Sequence, residues 1–146
     1  KHITTTAKVP HPYEFFHDEA GFNYRLPNLN AALGCAQMEA LPEFLKQKRI
    51  LAGKYQNFFE GSDFYFVSEP EYAQSNYWLN AVICPDNEVR EKLIKETNAL
   101  GVMTRPIWKL MHRLPMFSTS KHGPLPVSEW LESCLVNIPS SPLRTN

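Results

Sequence analysis

The hydrophobic pattern of this chain changes near residue 64, and that change limits the folds open to it. Before it, apolar residues recur at spacings of three and four. After it come short aromatic and β-branched runs separated by amphipathic stretches. "FYFV" and "NYWLNAVICP" read as strands. "DNEVREKLIKETNALGV" reads as a helix with Val89, Leu93, Ile94 and Leu100 on or near its inner face, capped by Asp86 or Asn87 and closed at Gly101. "VMTRPI" is a short extended piece broken by Pro106, "VSEWLESCL" a helix, and "VNIPSS" a strand that ends in a turn. The order strand, strand, helix, strand, helix, strand predicts a small α/β or α+β domain over residues 62–146, its sheet flanked by helices.

Upstream, residues 28–41 read as a helix, with Asn28 as cap and Leu29, Ala32, Leu33 and Ala36 at helical spacing. Gly34 costs about 1 kcal/mol relative to alanine, which close packing of another backbone would offset. Pro42 opens a second helix that Gly61 ends. Phe44, Leu51, Tyr55 and Phe58 form its apolar side, while Lys46, Arg49, Lys54 and Gln56 face solvent. Lys48 falls near the apolar side, where its stem buries and its ammonium reaches water. Residues 28–61 are therefore expected to form an angled linking helix pair. Residues 1–27 read as an irregular segment continuing from another domain, since they open without Met on threonines, prolines and a glycine. The final strand stops at a turn with nothing to cover it. Both ends suggest a piece of a larger protein, clipped at its end.

Fifteen basic and fifteen acidic residues give a formal net charge of zero, which argues against nucleic-acid and anionic-lipid partners. No apolar run approaches the roughly 18 residues of a membrane span. Cys35, Cys84 and Cys134 are odd in number and far apart, matching neither a disulfide framework nor a zinc site. They read as reduced, mostly buried thiols of a cytoplasmic protein.

Two clusters can carry chemistry. In "GFNYRLPNLNAALG", Asn23, Tyr24 and Arg25 precede a helix start, where free backbone donors assist anion binding. Asn23 offers an amide, Tyr24 a hydroxyl and a ring, Arg25 a fork for phosphate or carboxylate. The plainer alternative has Phe22 and Tyr24 anchoring the chain while Arg25 pairs with a carboxylate. In "RPIWKLMHRLPMF", Trp108 and His112 stand four apart, so a helical turn would place them on one face, with Trp108 over a ligand ring and His112 donating to an oxygen. Its plainer alternative is a proline-bounded loop pinned by Trp108, Met116 and Phe117. His2, His11 and His17, near Asp18 and Glu19, have no diagnostic metal spacing, and no metal ligands are assigned. No phosphate-binding glycine loop, serine elbow or metalloprotease signature is present, so the residues alone name no reaction.

The run "GFNYRLPNLNAALGCAQMEAL" resembles the DegT/DnrJ/EryC1/StrS family of PLP-dependent sugar aminotransferases, and the likeness continues through "SNYWLNAVI", "GVMTRPIWKLMHRLPMF" and "VNIPSS". It is nearest to the branch making UDP-4-amino-4,6-dideoxy-N-acetylhexosamines of the legionaminic acid and bacillosamine type. The resemblance implies the carboxy-terminal part of a fold-type-I aminotransferase, usually a homodimer with active sites between subunits. It implies pyridoxal 5'-phosphate (PLP) as cofactor, glutamate as amino donor and a nucleotide-linked 4-keto-6-deoxy sugar as acceptor.

Placed on that pattern, Asn23 resembles the residue that reaches across the dimer to the cofactor phosphate, and Arg25 a nearby cationic contact at the active-site mouth; both are assigned to cofactor binding. Tyr24, Trp108 and His112 resemble residues around the nucleotide-sugar substrate. The family's Schiff-base lysine lies upstream of the matched region; Lys1 and Lys8 lack its motif, so no catalytic residue is assigned and this chain alone is expected not to transaminate. The alternatives are a sugar dehydratase of the same fold, with the lysine replaced, and a non-catalytic structural or dimerisation module.

Overall fold

The computed structural model describes residues 1–24 and 26–142. The chain begins as a turn over residues 2–6 and a two-stranded hairpin, β1 (Lys8–Val9) antiparallel to β2 (Phe16–His17), so the opening segment holds more order than its proline and threonine content suggests.

A single helix, α1 (Asn28–Phe59), follows in place of the expected angled pair, with Pro42 inside it. Proline there forfeits the hydrogen bond to the Met38 carbonyl. The flanking runs "AQMEAL" and "EFLKQKR" are strong helix formers that continue through the defect. Apart from Ala40, the helix is exposed from Asn28 to Glu43 and stands off the body of the domain. None of the described residues lies within 4 Å of a β-carbon placed on Gly34, so the close packing expected there is not found among them. Its second half turns Ala52, Tyr55 and Phe59 inward; Phe58, assigned to the apolar side, is exposed. Gly61, in the left-handed region at φ 73°, turns the chain after the helix.

The remaining strands form one antiparallel sheet: β3 (Tyr65–Phe66), β4 (Asn80–Ile83), β5 (Arg105–Pro106) and β6 (Leu135–Ile138), in spatial order β3-β4-β6-β5. Val82 pairs with both Phe66 and Val136, and Asn80 with Ile138. Helix α2 (Asn87–Ala99) lies between β4 and β5, and α3 (Pro126–Cys134) precedes β6. The core gathers Val82, Cys84, Ile94, Val136 and Ile138, with Tyr55, Phe59 and Leu93 against it.

Asp86 caps α2, its carboxylate accepting from the Val89 N–H at 2.8 Å, and Gly101 follows the helix at φ 78°. Leu100 is exposed just beyond that helix and does not join the inner face. Among the described residues no helix is long and apolar enough to cross a membrane.

Candidate functional site

The segment Gly21–Tyr24 runs alongside the opening turn. The N–H groups of Phe22, Asn23 and Tyr24 donate to the carbonyls of Ile3, Thr5 and Thr4 at 2.8, 2.8 and 3.2 Å. Gly21 permits this approach, because a β-carbon there would meet the Thr6 carbonyl carbon at 2.5 Å. Asn23 takes the left-handed conformation (φ 52°), which asparagine tolerates better than most residues. The result is a pinned backbone whose side chains point away from the core: Tyr24 is 80% exposed and tilts against Phe22, their ring centroids 5.6 Å apart. Asn23 is exposed too, and its amide bonds to none of the described residues. Arg25 lies outside the described residues.

A second arrangement draws on four segments. Trp78 stacks on Trp108 (centroids 6.2 Å), and Trp108 stacks on Phe15 of the β1–β2 hairpin (5.5 Å). Two cations face Phe15, the Lys8 ammonium at 4.2 Å and the Arg105 guanidinium at 4.9 Å from its centroid. Beside this column opens a cleft of about 520 Å3, lined by Lys48, Trp78, Met103, Arg105, Asn137 and Ser140 among others. Among the described residues no carboxylate lines it.

Lys48 is half-buried and finds partners within the chain. Its ammonium donates to the carbonyls of Tyr77 (3.2 Å), Trp78 (3.2 Å) and Ser140 (2.7 Å), and burial holds its pKa below the ordinary lysine value. Arg49, assigned to the solvent face, instead forks onto Glu69 (2.5 and 3.1 Å) and donates to the Ser75 carbonyl (2.6 Å). Neighbouring cations of α1 thus organise the loop between β3 and β4 that carries Trp78.

Trp108 and His112 do not share a helical face. Residues 107–110 are not helical, and His112 belongs to a short 3-10 turn, Met111–Arg113. Its ring stacks on His122 at 4.3 Å, and its Nε2 lies 3.9 Å from the Glu129 carboxylate. Arg113 pairs with the buried Glu132 and with Glu129 (3.5 Å), and Glu132 also accepts from the Leu110 N–H (3.2 Å), which fastens this excursion onto α3.

Trp108 therefore joins the ring column, His112 a separate histidine pair, and Asn23 and Tyr24 the exposed arm. His2 pairs with Asp18 (2.6 Å), His17 with the Thr6 carbonyl (2.6 Å), and His11 accepts from the Glu14 N–H (2.9 Å), so the three imidazoles serve separate local contacts. Sequence reading missed Phe15, Trp78 and Arg105. Only the unusual density of aromatic residues near 13–16 and 77–78 hinted at them.

The profile of the DegT/DnrJ/EryC1/StrS aminotransferase family matches residues 5–146. The GDP-perosamine synthase of Escherichia coli O157:H7 is 32% identical over 133 residues, covering 91% of this chain and 36% of that protein. The chain spans about a third of the length of the curated relatives it matches. Two solved structures share the fold over 99% of this chain and 38% of their own. They are Spr1654 of Streptococcus pneumoniae in its PLP-form (TM-score 0.75, 15% identity) and a DegT DnrJ EryC1 StrS aminotransferase from Brucella abortus (TM-score 0.73, 20% identity).

Proposed function

The chain belongs to the DegT/DnrJ/EryC1/StrS aminotransferase family, and from that premise we propose that it carries one side of the active site of a PLP-dependent sugar aminotransferase. In this reading the whole enzyme moves an amino group from glutamate to the ketone of a nucleotide-linked 4-keto-6-deoxy sugar. The observation that carries it is the pinned arm. Asn23 and Tyr24 are held by backbone hydrogen bonds, yet both residues are exposed. Such an arm serves a site that another stretch of protein completes.

The donor set fits one edge of PLP. An amide and a phenol on a fixed backbone suit phosphate oxygens, and Arg25 would add a cationic fork. When bound, PLP supplies the electron sink for amino transfer. This chain's own part is to bind and orient: Asn23 and Arg25 at the cofactor, Tyr24 beside them, Trp108 and His112 along the nucleotide-sugar pocket. The Schiff-base lysine belongs upstream of the matched region, so the 146-residue chain alone does not transaminate. The enzyme is a cytoplasmic homodimer with sites shared between subunits.

Among substrates we favour the acetamido branch, on the likeness of "RPIWKLMHRLPMF"; the GDP-perosamine synthase relatives name the competing choice. The test uses protein from the complete gene, with glutamate and either a UDP-linked 4-keto-6-deoxy-N-acetylhexosamine or a GDP-linked 4-keto-6-deoxyhexose. Release of 2-oxoglutarate with the UDP sugar is expected, and release with the GDP sugar alone would transfer the assignment to that class. Turnover of neither, by protein that binds PLP, would overturn the aminotransferase reading.

A further inference from the structure

We propose that His17 is a positioning residue for Asn23: its imidazole clamps the Thr6 peptide on which Gly21 rests, and so fixes the arm that presents Asn23. This deepens the reading above and rests on it only for the cofactor phosphate that Asn23 would meet. His17 ends β2, half-buried, and its Nδ1 lies 2.6 Å from the Thr6 carbonyl oxygen. A carbonyl can only accept, so Nδ1 carries the proton. The carbon of that same carbonyl is the atom Gly21 faces, and a β-carbon on Gly21 would also come within 2.6 Å of the Thr6 Cα. From this contact the arm continues along the turn, its three N–H groups bonded to Ile3, Thr5 and Thr4. The imidazole therefore grips the peptide against which the arm is laid.

The backbone around this clamp is one that has to be enforced. Of the three non-glycine residues with positive φ among the described residues, two belong to this unit, Ala7 at 50° and Asn23 at 52°. That conformation persists in a non-glycine residue only where the surroundings over-determine it. At Ala7 they do. The residue is fully buried, its N–H donates to the His2 carbonyl at 3.0 Å, and its carbonyl accepts from the Asp18 N–H at 3.3 Å. His2 in turn pairs with Asp18, the neighbour of His17. Because Lys8 is paired with His17, a regular ladder would set Thr6 opposite Glu19; the reversal at Ala7 instead folds the Thr6 carbonyl onto His17. Glycine would adopt the conformation of residue 23 without strain, but it would forfeit the exposed amide that the whole unit holds out.

Protein from the complete gene tests this with His17→Ala, which deletes the donor, and His17→Asn, whose amide N–H stands where Nδ1–H stood. Deuterium exchange at the Phe22, Asn23 and Tyr24 amides, read by mass spectrometry, should quicken about fivefold or more in His17→Ala and stay within about twofold in His17→Asn. PLP titrated into the apo-protein and followed by its absorbance should bind about tenfold more weakly to His17→Ala and to Asn23→Ala. The double variant should be no weaker than Asn23→Ala alone, because both changes act through one contact. Circular dichroism confirms folding; should His17→Ala not fold, His17→Phe keeps a ring without the donor and carries the same expectations. Unchanged exchange in a folded variant lacking the donor, or PLP losses that multiply in the double variant, overturns the proposal. If the exchange result stands while Asn23→Ala binds PLP as before, the clamp holds and only the assignment of Asn23 to the phosphate falls.

Discussion

Lys48 of α1 donates to the carbonyl of Ser140, 92 residues further along the chain, at 2.7 Å, and to the Tyr77 and Trp78 carbonyls as well. One ammonium thus joins the long helix, the Trp78 loop and the segment leaving β6. Replacing Lys48 by Met keeps the stem but leaves three carbonyls without that donor. With charged hydrogen bonds worth about 1.5–3 kcal/mol, the chain should lose roughly 2–3 kcal/mol of stability, read as a lower urea midpoint.

The Arg49–Glu69 pair sets an acid limit. Arg49, with the Ser75 N–H, holds the Glu69 carboxyl below its ordinary 4.5. Because the folded value lies under the unfolded one, this stabilisation is complete above 4.5 and is lost as pH falls through the folded value. Glu69→Gln should flatten that loss, seen as a shallower decline of Tm as pH falls below 4.5. An unchanged slope would assign the acid limb to other carboxylates.

The three thiols should separate by reactivity. Burial pushes Cys84 up to about 11 and raises Cys134, while Cys35 is exposed on α1. A thiol reagent at neutral pH should modify Cys35 alone in the folded chain and all three after denaturation, counted by intact mass. The raised Cys84 value also means that its contribution to stability is whole below 9.0 and falls away as pH climbs toward about 11.

Gly21 and Gly34 should answer alanine in opposite directions. At Gly21 the new methyl strikes the Thr6 backbone, which should cost about 1–3 kcal/mol and loosen the arm bearing Asn23. At Gly34 it meets open space within a helix and should stabilise the isolated chain by up to about 1 kcal/mol. Thermal melts of the two variants distinguish these outcomes.

Legibility in the sequence followed the range of the interactions. The Asp86 cap and the turns at Gly61 and Gly101 are governed by near neighbours, and the strand runs by local alternation; these could be read directly. The single α1 could not, because one proline's local penalty is outweighed by the propensity of both flanks. Lys48 and Arg49 look like solvent-side or snorkelling cations until the fold brings carbonyls and Glu69 to them from distant segments. The column of Phe15, Trp108 and Trp78 likewise joins three stretches whose spacing bears no periodic relation. Trp108 stood out by its spacing from His112 and by resemblance, whereas its ring partners come together only on folding.

Helix α1 has a mechanical consequence. Its inner half is rooted on the sheet, while Asn28 to Glu43 projects freely as a cantilever. At 1.5 Å per residue that arm is about 24 Å long, so a tilt of about 5° at its root carries the tip through about 2 Å. The arm bearing Asn23 enters at that tip, whereas Lys48 and the ring column sit near the root. The accuracy with which the outer residues meet a ligand is thus inherited from the stiffness of a fulcrum near Phe44, far from the atoms they would touch.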